Sequence, residues 1–142
     1  MEQPSGESRP EIDSFLDRLE NLAGRKFSHR GGIALLLGLA RGREALLDEA
    51  AFYAKFLTKS YALLKRTRGE DVSRLEAEFA EKMEKTLALL RSLVEGSQGE
   101  AGRDFAVRYL TPSAEGLENL LSLLAELSWL KNYEIESRRS AT

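Results

Sequence analysis

This 142-residue chain predicts an all-α fold, and three observations carry the prediction. Apolar residues recur at spacings of three and four along several long stretches. Pro10, Gly24, Gly69 and Gly96 fall at the ends of those stretches, where helices start and stop. No two runs alternate as a pair of strands would. The expected architecture is an antiparallel four-helix bundle with one additional short buried helix.

The first helix spans about 10–23. Pro10 suits a first helical turn, Glu11 and Asp13 complement the dipole, and Gly24 supplies the stop. Ile12, Phe15, Leu16, Leu19 and Leu22 form its single apolar face. Residues 25–32 are a basic, glycine-ended connector. The run 33–41 is apolar on all sides, so a short buried helix over 32–41 is expected in preference to a strand that would lack a partner.

A long helix over about 43–68 carries two stripes. Leu46, Ala50, Tyr53, Leu57 and Leu64 make the first, and Phe52, Phe56 and Leu63 make the second, rotated by roughly a quarter turn. The next helix, about 72–95, has Ser73 and Glu76 at capping-box spacing and one narrow stripe from Val72 to Val94. Residues 96–104 read as a flexible loop, and Phe105 to Leu110 as a short helix in preference to a strand. Thr111 as cap and Pro112 in the first position open the last helix, about 112–136. The organisation is therefore a disordered lead-in at 1–9, one helical domain at 10–136 and a frayed tail at 137–142.

The last helix is the most apolar segment. Seven leucines lie between Leu117 and Leu130, more than one face can hide. Such a helix is sandwiched between neighbours or docked on a second chain. Trp129 and Tyr133, four apart, point away from the main leucine stripe, and Leu123 with Leu130 forms a further ridge. Large aromatics with a polar tip are common interface anchors. Trp129, Tyr133, Leu123 and Leu130, together with Phe52 and Phe56 on the long helix, are the expected partner-binding residues.

Composition narrows the chemistry. Hydrophobic residues make up 42% and charged residues 31%, a globular balance, and the net charge of −2 gives no general attraction to nucleic acid or anionic lipid. The absence of cysteine removes disulfides, thiolate metal sites and cysteine nucleophiles, and weighs towards the cytoplasm. The polar N-terminus has no signal-peptide core, and the longest apolar run, Ile33 to Ala40, is too short to span a bilayer. With one histidine, neither di-iron nor zinc-hydrolase spacing exists, and no serine triad can form. No metal or cofactor is expected, and no enzyme.

Two further functional readings remain open. Phe27-Ser28-His29-Arg30 ahead of an apolar run loosely resembles the phospho-accepting helix of sensor kinases, which would make His29 a phosphoacceptor. Arg30 stands where an acidic residue usually follows, the usual proline is missing, and Gly31-Gly32 weakens the helix. The other reading is an RNA or single-stranded DNA backbone binder in a ribonucleoprotein. Its basic contacts would be Arg25, Lys26 and Arg30; Arg41 and Arg43; and Lys65, Arg66 and Arg68, brought together if the long helix folds back on the first. The principal expectation is a non-enzymatic interaction or scaffold protein, self-associating as a homodimer within a larger cytoplasmic assembly.

Overall fold

The structure, a computed structural model, describes residues 10–95, 97 and 99–141, with side chains as far as Tyr133. The expected lead-in at 1–9 and the helix stop at Gly96 lie outside the described residues. Six helices and no strand occur among those described: α1 (Pro10–Ala23), α2 (Arg30–Leu39), α3 (Glu44–Leu64), α4 (Glu70–Glu95), α5 (Glu100–Tyr109) and α6 (Ala114–Ala141). The chain is all-α, and none of these helices is long and apolar enough to cross a membrane.

Helix α3 packs most extensively on α4 and next on α6. Its pairing with α4 is antiparallel, because facing residues run in opposite directions. Lys85 sits over the Tyr53 ring, Lys82 over Phe56, and Tyr61 against Phe79. Ala50, Ala51 and Ala54 are buried on α3 and let its backbone approach its neighbours closely. Burial on α4 is confined to its C-terminal half, at Thr86, Leu90, Leu93 and Val94. The core therefore concentrates where α2, α5 and α6 meet that end of the α3–α4 hairpin.

Helix α2 explains its own all-round apolarity. Ile33, Ala34, Leu35 and Leu36 are buried in succession because α1, α4, α5 and α6 surround it. Helix α1 packs chiefly on α2 through Ile12, Leu16 and Leu19. Helix α6 is covered by α3, α5 and α2 on different sides. Leu120, Leu121, Leu123, Leu124, Leu127 and Leu130 are all buried inside the one chain. The leucine excess is thus the sandwiched case.

Several boundaries differ from expectation for local reasons. Helix α4 begins at Glu70, directly after Gly69 at φ 87°, so Ser73 lies inside the helix rather than capping it. Helix α6 begins after Ser113, whose Oγ accepts the Gly116 N–H at 3.0 Å; Ser113 is the cap and Thr111-Pro112 precede it. The Thr111 hydroxyl instead donates to the Val107 carbonyl at the end of α5. Helix α5 starts at Glu100, inside the expected loop, because Gly102, Phe105 and Tyr109 bury one face of it. Helix α3 ends at Leu64, short of Arg68, and α6 continues past 136 to Ala141.

Candidate functional site

Two places gather side chains with chemical or recognition potential: the connector between α1 and α2, and the outer face of α3. The connector turns because Gly24 takes φ 74°, which only glycine adopts without strain. Two buried glutamates then hold it. Glu20 on α1 accepts the Phe27 N–H at 2.8 Å. Glu126 on α6 accepts the N–H of Ser28 at 2.7 Å and of His29 at 2.9 Å. These carboxylates cap the approach to α2 in place of a local side chain, and no side-chain cap is made by His29 itself.

The basic residues of the connector pair with the same acids. Arg30 Nη1 lies 2.8 Å from both Asp17 and Glu20, and its Nη2 donates to the Asp13 carbonyl. Arg25 lies 3.5 Å from Glu126 and over the Phe27 ring, and Lys26 lies 3.9 Å from Glu20. Arg41 pairs with Glu11 at 2.7 Å, while Arg43 reaches the Leu39 and Ser92 carbonyls. Lys65 sits over Tyr61 at the far end of α3. The 21 residues of α3 separate Arg43 from Lys65, Arg66 and Arg68 by roughly 30 Å. Arg43 and the Lys65–Arg68 group therefore do not converge, and the first group is engaged by buried or neighbouring acids.

His29 is only 6% exposed. Its Nδ1 lies 2.7 Å from the Tyr109 hydroxyl, which donates to it in one tautomer and accepts from it in the other. Burial lowers the His29 pKa, against the attraction of Glu126, and burial raises that of Tyr109. The neutral pair is therefore favoured, as befits a polar strut between connector and α5. A phosphoacceptor nitrogen needs an open approach, which this burial and the Tyr109 contact oppose. The adjoining cleft, lined by Gly32, Phe105, Arg108 and Tyr109 among others, measures about 230 Å³. That is below the roughly 300–1,000 Å³ usual for ligand sites. No group of three or more metal-ligating side chains occurs among the described residues.

The expected partner-binding residues fall into two sets. Leu123 and Leu130 are fully buried in the chain's own core and present nothing to a partner. Trp129 and Tyr133 are half-buried and stacked on each other, at 5.6 Å and 17°, and Trp129 meets the Phe27 ring edge-on. Much of the Trp129 surface thus covers the connector of its own chain. On α3, Phe56 is half-buried beneath Lys82, but Phe52 is 71% exposed and Leu63 44% exposed. Beside Phe52, between α3 and α6, lies a cleft of about 450 Å³ lined by Asp48, Ala51, Lys55, Ser128, Lys131 and Asn132. Glu20 and Glu126 were missed by sequence reasoning, because a glutamate on an amphipathic helix has the same spacing whether it caps a distant loop or faces water.

Compared with protein-family models, curated proteins and solved structures, the chain matches none.

Proposed function

We propose that this chain is a non-enzymatic helical interaction protein that self-associates as a homodimer and scaffolds or regulates a larger cytoplasmic assembly. The observation that carries the reading is the outer face of α3. A phenylalanine in the middle of a long helix, 71% exposed and in line with Leu63 and Phe56, leaves apolar surface that the chain's own core does not use. In this reading α3, α4 and α6 form the antiparallel centre of the bundle, and the stacked Trp129–Tyr133 pair borders the contact rather than forming it. The absence of catalysis in the proposal rests on His29: the single histidine is enclosed and serves the connector.

Sedimentation velocity of the wild type beside Phe52→Ser tests the reading. Wild-type protein is expected to show a dimer at micromolar concentration, and Phe52→Ser to shift towards monomer with unchanged helicity. A wild type that stays monomeric at every concentration, and captures no protein partner, removes the proposal.

A further inference from the structure

We infer that the outer face of α3 docks on the same face of a second copy, antiparallel, about a two-fold axis beside Phe52. This inference rests on the self-association reading and adds its geometry. With 100° per residue and Phe52 as reference, Lys59 lies about 20° away, Asp48 about 40° and Lys55 about 60°, all on the side facing α6, with Glu44 about 80° round on that same side. Glu44, Asp48, Phe52, Lys55 and Lys59 are all exposed.

The charges on this stripe are divided by sign. Glu44 and Asp48 precede Phe52, and Lys55 and Lys59 follow it. Within one chain the basic half is unfavourable, because Lys55 and Lys59 stand at i,i+4, where repulsion costs a few tenths of a kcal/mol. In the acidic half Lys131 meets Asp48 and attracts Glu44, whose carboxylate also accepts the Gly42 N–H. The helix dipole accounts for Glu44, in the first turn, but not for Asp48, Lys55 and Lys59, which lie beyond the first and last turns, where that field acts. Glu44, Lys55 and Lys59 have no ion-pair partner among the described residues, and Asp48, whose side chain is 57% exposed, meets Lys131 at 2.7 Å through one oxygen.

The positions have a common centre. The midpoint of Glu44 and Lys59 falls between Ala51 and Phe52, and so does the midpoint of Asp48 and Lys55. A two-fold axis at that point reverses the second helix. Glu44 then faces the partner's Lys59, and Asp48 faces the partner's Lys55. Each pair forms twice, as an isologous contact requires. The axis lies about 50° round from Phe52 towards α6, so the two Phe52 rings flank it on opposite sides, with the cleft between α3 and α6 beside them. A parallel pairing would set acid on acid and base on base, so charge selects the antiparallel one. One helical face is a small contact, which points to a micromolar dimer that weakens as salt is raised.

Charge reversal tests this. Lys55→Glu with Lys59→Glu, at two exposed positions, should weaken self-association roughly tenfold or more, because each acidic half then meets another. Arg103→Glu, an exposed change on α5, should leave it intact. Glu44→Lys with Asp48→Lys should be monomeric by the same logic, and mixing it with the first variant should produce a heterodimer seen by native mass spectrometry. Circular dichroism of each variant establishes that it is folded before mixing. If Lys55→Glu/Lys59→Glu dimerises like the wild type, or if the two folded variants fail to combine, the geometry is overturned while self-association stands. A wild type that is monomeric throughout overturns both.

Discussion

Replacing Glu126 with alanine should destabilise the protein by about 2–4 kcal/mol, a large share of the stability of a small domain. The magnitude follows from what the carboxylate holds. It accepts two backbone N–H groups, from Ser28 at 2.7 Å and His29 at 2.9 Å. A hydrogen bond to a charged acceptor contributes about 1.5–3 kcal/mol, and a buried donor left without one carries its desolvation cost. The His29 N–H is buried and water cannot reach it, whereas Ser28 is exposed and recovers part of its loss from solvent. The ion pair with Arg25, half-exposed at 51%, adds little. Glu126→Gln keeps one acceptor and loses the charge, so it should cost less, about 1–2 kcal/mol. Urea unfolding with an unchanged m-value reads both numbers. An alanine variant within about 0.5 kcal/mol of wild type, the range of ordinary surface changes, would refute the assignment of Glu126 as the clamp of the connector.

Three other outcomes follow from the same structure. Burial lowers the His29 pKa in the folded state, with Glu126 opposing and Arg108 reinforcing, so the unfolded chain binds that proton more readily. Stability from this group is full above the ordinary histidine value of 6.5 and is lost as pH falls below it; thermal midpoints between pH 7.5 and 5.5 should decline, and His29→Gln should flatten the decline. A midpoint rising over that range would contradict the burial argument. Gly31→Ala meets no atom within 4 Å and should stabilise α2 by about 0.5–1 kcal/mol, whereas at Gly32 a Cβ already meets the Tyr109 ring at 3.1 Å, so Gly32→Val should cost about 1–3 kcal/mol. Phe52→Ala, by contrast, should change unfolding of dilute protein by less than about 0.5 kcal/mol, because the ring is already mostly in water.

The helices were legible wherever one face carries the whole signal. In α1, Pro10 and Gly24 state the start and the stop, and the Ile12–Leu16–Leu19 stripe states the buried side, although Leu22, expected on the same face, stands 62% exposed near the helix end. The 33–36 run reads correctly as a surrounded helix for the opposite reason, since it is apolar on every side. α5 was harder, since its first turn is Glu100-Ala101-Gly102 and its helical character comes from packing Phe105 and Tyr109 on its neighbours rather than from propensity. Leu123 and Leu130 show the limit most clearly. Periodicity counts apolar faces but does not say whether the surface covering them belongs to the same chain, and here α2, α3 and α5 do the covering. The connector clamp joins residues 97 apart in sequence, so no local pattern marks it. Phe52 was legible as surplus, and it is the member of the expected set that the fold leaves most exposed.

The account depends most on what covers Phe52 in solution. Hydroxyl-radical footprinting of the wild type, from dilute to near-millimolar protein, reads this directly, with Leu22 on α1 as an internal reference because it is 62% exposed. Modification of Phe52 should fall several-fold relative to Leu22 as concentration rises. A constant Phe52-to-Leu22 ratio across that range would mean that no second copy covers α3.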